Sequence, residues 1–195
     1  FTISVTDVNE APALANSSFS MSENRADDYN VGTVAASDPD GGAFGTLRYY
    51  FRSGASGVSG TSSDGKLTID PVTGLIQTNG ANAFNHEDTP SPSYTLIVRD
   101  NAAAAGYNED TATLNLTISD VNEAPSLGNM SRTMAENRAA GYDVVTFSAS
   151  DPDGGTNGSL RYYFDDGAGG VAATSSDGRL VIDPVTGLVE TNSAN

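Results

Sequence analysis

The sequence predicts an all-β fold of two tandem β-sandwiches, and two observations support this prediction. The first is an internal repeat, because residues 1–82 correspond to residues 114–195 at a fixed offset of 113 positions without insertion or deletion. A period of this length fits a whole domain and is too long for one solenoid unit. The second is that each repeat contains short β-prone segments separated by Gly, Pro, Asp and Asn, which is typical of a sandwich.

Five strands are predicted in the first part of the repeat. They lie near Ser18–Ser22, Val31–Ala36, Thr46–Phe51, Lys66–Ile69 and Leu75–Thr78. The last two flank the sequence Asp70-Pro71-Val72-Thr73-Gly74. Proline presets φ early in this segment and glycine can adopt a positive φ at its end, so the segment predicts a turn that joins two strands as a hairpin.

Two further strands complete a seven-stranded repeat. Tyr94–Val98 is β-branched and aromatic and is bounded by proline and aspartate residues. Thr111–Ile118 alternates polar and apolar residues, the period of a half-buried antiparallel strand. The Gly- and Ser-rich segment 52–63 is interpreted as a loop within the repeat, as is its copy 165–176. Ala102–Ala105 is also interpreted as a loop, because Gly106 follows it directly.

The repeat also sets the expected domain limits. Residues 1–7 would be the last strand of a preceding repeat, 8–12 a linker, 13–119 a complete domain, 120–125 a second linker, and 126–195 a domain that lacks its last two strands. We therefore expect this sequence to be a window on a longer polypeptide. In the alternative, Phe1–Thr6 completes the truncated domain of another copy in a head-to-tail filament by strand addition.

Charge and composition exclude several classes of partner. The chain has 9 basic and 25 acidic residues and a net charge of −16, which argues against binding to nucleic acid or to anionic membrane surfaces. It has no cysteine, and therefore no disulfide and no thiolate metal site. No signal peptide and no membrane-spanning apolar run is present. Carboxylates grouped as Asp-x-Asp repel one another unless a cation joins them, which favours a hard metal ion.

The acidic motifs follow a recognisable order. They are Met21-Ser22-Glu23-Asn24, Asp38-Pro39-Asp40, the hairpin Asp70-Pro71-Val72-Thr73-Gly74-Leu75-Ile76, Asn85-His86-Glu87, Asp100-Asn101-Ala102 and Asp120-Val121-Asn122-Glu123-Ala124-Pro125. In this order and spacing, each repeat resembles a cadherin domain, of the kind found in tandem in large bacterial surface proteins. The resemblance implies Greek-key sandwiches that bind Ca²⁺ where consecutive repeats meet.

The resemblance also implies which residues bind the metal. At the 120–125 joint, the implied ligands are Glu23, Glu87, Asp120, Asn122, Glu123, Asp151 and Asp153, with the carbonyls of Val121, Ala124 and Asn157. At the upstream joint they are Asn9, Glu10, Asp38, Asp40 and Asp100, and Glu136 lies at the far end. Such a set supplies the six to eight oxygen ligands that calcium takes, which no single loop here contains.

Three departures from the family pattern change the calcium binding that the resemblance implies. Asn85 stands where the family has aspartate, which removes a charge from the outermost ion position. The linker is one residue shorter than in many members and carries Glu123 in place of aspartate. His86 replaces an arginine that does not itself bind metal. We expect the inner positions to bind calcium well and the outermost position to be weakened or empty.

Simpler interpretations exist for several of these residues. Asp-Pro-Asp-Gly-Gly is a good turn sequence by itself, and Asp64, Asp70, Asp177 and Asp183 are interpreted as turn residues and not as ligands. The aromatic segment 49–51 is interpreted as core. The four Asn-x-Ser/Thr matches are expected by chance in a chain rich in Ser and Asn. Catalysis is not expected, because the single histidine, His86, has no nucleophile partner.

The sequence thus predicts a calcium-rigidified module of a long extracellular adhesin or stalk, which mediates adhesion or spacing at a cell surface. The expected partners are neighbouring repeats of the same chain, further copies through homophilic or head-to-tail association, and a glycan or a cell-surface protein. The alternative is a β-sandwich that binds a polysaccharide or a protein. The absence of tryptophan counts against a glycan-binding face.

Overall fold

The computed structural model describes residues 1–100 and 106–193, and it divides into two compact units, Phe1–Val121 and Asn122–Asn195. All regular structure in the described ranges is β-strand, which confirms the predicted all-β class. Within these ranges no helix is long and apolar enough to cross a membrane. The interpretation of Ala102–Ala105 as a loop, and the last two residues of the Asp100-Asn101-Ala102 motif, lie outside the described residues.

The first unit contains ten strands. They are β1 (Ala13–Leu14), β2 (Ser17–Ser22), β3 (Asn30–Thr33), β4 (Ala36–Ser37), β5 (Arg48–Ser53), β6 (Gly57–Ser59), β7 (Leu67–Ile69), β8 (Leu75–Thr78), β9 (Ser93–Arg99) and β10 (Glu109–Ser119). They form a five-stranded sheet in the order β2-β10-β9-β5-β6, a three-stranded sheet in the order β3-β8-β7, and the small pair β1-β4. The larger sheet is mixed, because β10 pairs parallel with β2 and antiparallel with β9.

Strand β10 shows how the sequence pattern produces the core. Ala112, Leu114, Leu116 and Ile118 are buried, and the residues between them are exposed. This is the period of two that sends alternate side chains to opposite faces of a sheet. The buried row packs into one core cluster with residues from both larger sheets, including Phe51 from β5. Burial of these apolar side chains is the main source of the unit's stability.

The hairpin between β7 and β8 follows the predicted turn chemistry. Asp70 Oδ1 accepts hydrogen bonds from the backbone N–H groups of Val72 at 2.9 Å and Thr73 at 2.7 Å. These two bonds hold the pKa of the Asp70 carboxyl below its ordinary value. Gly74 has a φ of 72°, and a Cβ at this position would lie 2.3 Å from the carbonyl oxygen of Val34. The turn therefore needs glycine for both its conformation and its close packing.

Two strand predictions need correction. The predicted strand Val31–Ala36 is divided into β3 and β4, because β3 pairs with β8 whereas β4 pairs with β1, so the chain changes its partner between them. The predicted loop 52–63 contains β6, which folds back on β5 as a hairpin edge. Residues 1–7 are not in a strand in this chain. Their expected partner strands belong to a preceding repeat, so that expectation stays a prediction.

The second unit contains seven shorter strands. They are β11 (Ser126–Leu127), β12 (Asp143–Thr146), β13 (Ala149–Ser150), β14 (Phe164–Asp165), β15 (Val171–Ala172), β16 (Leu180–Ile182) and β17 (Leu188–Thr191). The sheet β12-β17-β16 repeats the arrangement of β3-β8-β7. The segment that corresponds to β2 is not a strand here. In the first unit β2 pairs with β10 alone, and the described residues of the second unit include no counterpart of β10.

Candidate metal centres

One group of polar side chains gathers at a single end of the first unit, and we call it the linker cluster. It consists of Asn9, Glu10, Asp38, Asp40 and Asp100. The two aspartates of Asp-Pro-Asp follow directly after β4, and Asp100 follows directly after β9. The asparagine and glutamate belong to the predicted linker 8–12, which precedes β1. The structure thus brings together all five upstream ligands that the sequence predicts.

Hydrogen bonds fix the linker to the acidic loops. Glu10 N donates to Asp40 Oδ2 at 2.8 Å, and Asn9 Nδ2 donates to Asp100 Oδ2 at 3.0 Å. Asp40 N in turn donates to Asp38 Oδ1 at 2.9 Å. The Asp100 side chain is fully buried. The carboxylates are therefore held in place by donors from the linker and from the Asp-Pro-Asp loop itself.

Two members of this region were missed by the sequence reasoning. Asn108 donates its backbone N–H to Asp100 Oδ1 at 2.7 Å, and its side-chain nitrogen bonds the carbonyls of Asn9 and Glu10, each at 3.1 Å. Asp7 has a carboxylate oxygen within 4.8 Å of oxygens of Glu10 and Asp40. The repeat could have identified Asp7, because it corresponds to the predicted ligand Asp120. No sequence pattern pointed to Asn108.

The electrostatics of the linker cluster favour a cation. Asp38 Oδ2 and Asn9 Oδ1 are buried, and neither accepts a hydrogen bond from the part of the chain that the structure describes. A buried acceptor without a donor carries a desolvation cost of roughly 1–3 kcal/mol. A hydrogen bond shared with Asp40, together with the charges of Asp40 and Asp7, raises the pKa of Glu10. The donor set consists of carboxylate and amide oxygens, and it fits a hard divalent cation such as Ca²⁺.

A second group lies at the other end of the same unit, where the chain leaves β10. Glu23 is 2% exposed, and its two carboxylate oxygens accept the backbone N–H groups of His86 and Val121, each at 2.8 Å. Ligand atoms of His86, Glu87 and Asp120 all lie within 4.8 Å of one another. One buried carboxylate therefore ties together the loop that carries His86 and Glu87 and the segment that follows β10.

The loop that carries Glu87 is shaped by Asn85. Asn85 Oδ1 accepts hydrogen bonds from the backbone N–H groups of Glu87 at 2.7 Å and Asp88 at 3.3 Å. The amide oxygen at this position closes a turn, and an asparagine does this as well as an aspartate. The substitution of aspartate by asparagine thus preserves the fold of the loop while it removes one negative charge.

The second unit repeats the bonds of the linker cluster. Glu123 N donates to Asp153 Oδ2 at 2.8 Å, and Asp153 N donates to Asp151 Oδ1 at 3.0 Å. The corresponding bonds in the first unit, given above, have nearly the same lengths. Asn122 turns its side-chain nitrogen to the carbonyl of Glu123 at 3.1 Å. Glu136, the last predicted ligand, is exposed.

A glycine closes the acidic loop in each unit. A Cβ at Gly45 would lie 2.2 Å from the carbonyl oxygen of Asp40, and a Cβ at Gly158 would lie 2.1 Å from the carbonyl oxygen of Asp153. Real Cβ atoms do not approach an oxygen this closely. The chain can therefore fold back on the second aspartate of Asp-Pro-Asp only because these positions lack a side chain.

Comparisons with known sequences identify the fold family. The family model described as "Cadherin domain" matches residues 17–119. The chain is 31% identical over 198 residues to the protocadherin-like wing polarity protein stan of Drosophila melanogaster, covering 97% of this chain and 5% of that protein. It is 33% identical over 192 residues to protocadherin-16 of Mus musculus, covering 95% of this chain and 5% of that protein. These relatives are animal proteins, and they give no support to the expected bacterial origin.

Solved structures have the same fold. The chain matches mouse cadherin-23 EC22-24 with a TM-score of 0.70 and 24% identity, covering 97% of this chain and 56% of that one. It matches human CDH23 EC21-23 with a TM-score of 0.73 and 22% identity, covering 98% and 57%. At these identities the likeness shows the fold alone. Because the family model covers more than half of the sequence, the chain belongs to the cadherin family.

Proposed function

We propose that this chain is a calcium-binding repeat module of an extracellular adhesion protein, in which bound calcium stiffens the joints between consecutive repeats. The observation that carries the proposal is the pair of buried oxygens, Asp38 Oδ2 and Asn9 Oδ1, that have no hydrogen-bond donor among the described residues. They lie in a cluster of carboxylates. A bound cation satisfies such buried oxygens. A turn that only caps its own backbone gives no reason for a carboxylate oxygen to be buried without a partner.

The donor set supports calcium in particular. Calcium takes carboxylate, amide and carbonyl oxygens at six to eight positions with flexible geometry, whereas magnesium demands a strict octahedron and retains several waters. The proposed upstream ligands are Asn9, Glu10, Asp38, Asp40 and Asp100, and the proposed ligands of the following joint are Glu23, Glu87, Asp120, Asn122, Glu123, Asp151 and Asp153. When bound, calcium supplies the positive charge that offsets the repulsion among these carboxylates.

The chain's own residues prepare each linker for this role. The backbone of Glu10 is bonded to Asp40, and the side chain of Asn108 bonds two successive linker carbonyls. In the second unit Glu123 N has the equivalent bond to Asp153. These contacts order the linker beside the acidic loop, which lowers the conformational entropy lost on metal binding. The remaining repulsion between Glu10, Asp40 and Asp7 makes the cluster more stable with a cation than without one.

The adhesive role rests on the relatives. Those named above are a protocadherin-like protein and protocadherin-16, and the matching structures include a protocadherin gammaB7 EC3-6 cis-dimer at 22% identity. This chain spans 5% of the length of the first two relatives. By analogy with these relatives, we propose that this chain has neighbouring repeats as partners and that it self-associates at the cell surface.

Small-angle X-ray scattering of the full chain, in calcium and in chelator, tests the stiffening. We expect calcium to narrow the distribution of interatomic distances and to raise the thermal midpoint. The Asp153→Asn variant is expected to lose much of this response. Asp183→Asn is the control, because Asp183 Oδ1 accepts only the N–H groups of its own turn at 2.8 Å. Identical scattering and midpoints with and without calcium would overturn the proposal.

A further inference from the structure

The single histidine of the chain lies beside two carboxylates. His86 Nδ1 is 3.4 Å from Glu87 Oε1, and ligand atoms of His86, Glu87 and Asp120 lie within 4.8 Å of one another. We propose that these three side chains form a binding site for a divalent transition metal, with Zn²⁺ as the probe. This assigns His86 a role that the family pattern does not, since the arginine that the family has at this position does not itself bind metal.

The backbone around the three side chains is held independently of any metal. Glu23 is 2% exposed and accepts the N–H of His86 with one oxygen and the N–H of Val121, the neighbour of Asp120, with the other. Asn85 closes the turn that carries Glu87. The three ligands therefore come from two segments fixed to the same buried carboxylate. Ligands fixed in this way lose little conformational freedom on binding.

The chemistry of the donors selects the metal. Calcium and magnesium prefer oxygen ligands, whereas an imidazole nitrogen suits Zn²⁺, Cu²⁺ and Ni²⁺. Zinc is bound by histidine nitrogen and by aspartate or glutamate oxygen, often with three protein ligands and one water. One histidine and two carboxylates match that set. The linker cluster at the other end of the unit consists of oxygen donors only, so it offers no equivalent site.

The side chains are also accessible enough to take up an ion. The side chains of His86 and Glu87 are 35% and 21% exposed. A neutral imidazole has a lone pair available for a metal, and the two adjacent carboxylates attract a cation. The three side chains all belong to the first unit. Two of them, Glu87 and Asp120, are also proposed calcium ligands, so zinc and calcium are expected to compete for these carboxylates, and the zinc titration is done without calcium.

Isothermal titration of the full, metal-free chain with ZnCl₂ at neutral pH tests the proposal, together with the visible spectrum after addition of Co²⁺. His86→Gln removes the nitrogen donor and retains a polar side chain of similar size. We expect it to lower zinc affinity about tenfold or more and to abolish the cobalt bands of nitrogen coordination. Asp88→Asn, an exposed residue of the same loop outside the cluster, is expected to bind both metals as the parent does.

Calcium titration of the same variants separates this proposal from the proposed function. His86→Gln is expected to retain its calcium isotherm, because the imidazole is not a calcium ligand. Undiminished zinc binding by His86→Gln would overturn the proposal, since the carboxylates alone would then hold the ion. Loss of zinc and calcium binding together would overturn it as well, because His86 would then act by supporting the loop. A chain that binds zinc but not calcium would refute the proposed function alone.

Discussion

Replacement of Glu23 by glutamine tests whether a buried carboxylate holds the end of the first unit together. Glu23 is 2% exposed and accepts two backbone N–H groups, each at 2.8 Å. Glutamine has the same size, but it offers one acceptor oxygen and places an amide N–H₂ where the second oxygen was. One backbone donor then loses its acceptor, and the other keeps only a neutral one.

The size of the effect follows from these two bonds. A hydrogen bond to a charged acceptor contributes about 1.5–3 kcal/mol, and a buried donor without an acceptor costs about 1–3 kcal/mol. We expect Glu23→Gln to destabilise the first unit by about 2–3 kcal/mol in chelator. This corresponds to a fall of roughly 10 °C in the melting temperature of a domain of this size.

The repeat supplies a matched control in the same chain. Glu136 is the counterpart of Glu23 at the offset of 113 residues, and it is exposed. Glu136→Gln is therefore expected to change stability by less than about 0.5 kcal/mol. Hydrogen exchange measured by mass spectrometry at increasing urea concentrations gives the stability of each unit separately. Peptides from β10 report on the first unit, and peptides from β17 report on the second. Equal shifts for the two variants would refute the reasoning.

Two further predictions concern other parts of the first unit. The Tyr94 hydroxyl donates to Asp64 Oδ2 at 2.8 Å, so Tyr94→Phe is expected to cost about 1 kcal/mol at pH 7 in urea unfolding. Burial raises the pKa of the Asp64 carboxyl, but its hydrogen bonds outweigh burial and hold the pKa below the ordinary 3.8. The stability that the ionised Asp64 carboxylate contributes is therefore present above pH 3.8 and is lost as pH falls through the folded-state pKa. The difference in unfolding free energy between the parent and Tyr94→Phe should then shrink in acid, and a constant difference down to pH 2 would contradict this. Gly45→Ala is expected to displace the Asp40 carbonyl and to weaken calcium binding measured by calorimetry. Gly41→Ala is expected to bind calcium as the parent does, because a Cβ at Gly41 has open space around it. Equal calcium affinities for the two variants would show that the close approach of Gly45 to the Asp40 carbonyl is unimportant.

Most of the fold could be predicted because the first repeat has clear periodic patterns. The eight residues 111–118 alternate without interruption, and the structure contains them in β10. The parts of the fold that the sequence did not predict have no such periodic pattern. Strand β6 lies in a Gly- and Ser-rich segment, and its strand conformation comes from pairing with β5 and not from intrinsic propensity. The break between β3 and β4 depends on a change of partner, because β3 pairs with the distant strand β8 and β4 pairs with β1.

The candidate sites could be predicted in part, because their motifs lie at strand ends. Asp38 and Asp40 follow β4, and the topology brings strand ends of one unit together. Asn108 could not be predicted, because its role depends on reaching the linker carbonyls from a position 98 and 99 residues away. The proximity of His86 to Asp120 likewise depends on the folded chain. Ligand assignments at both ends remain predictions until metal binding is measured.

Calcium titration of Asp38→Asn and Asp70→Asn tests the central claim most directly. Both aspartates precede proline, and the Oδ1 of each accepts the N–H of the residue two positions later at 2.9 Å. The two aspartates differ in the environment of their second carboxylate oxygen. Asp38 Oδ2 is buried and has no hydrogen-bond partner within the described ranges, whereas Asp70 is exposed.

If the acidic motif binds metal, Asp38→Asn is expected to lower calcium affinity about tenfold by isothermal titration. The Asp70→Asn isotherm is expected to match that of the parent, because this aspartate only caps a turn. Equal isotherms for all three proteins would contradict the account, because Asp38 would then also be a turn residue and nothing more.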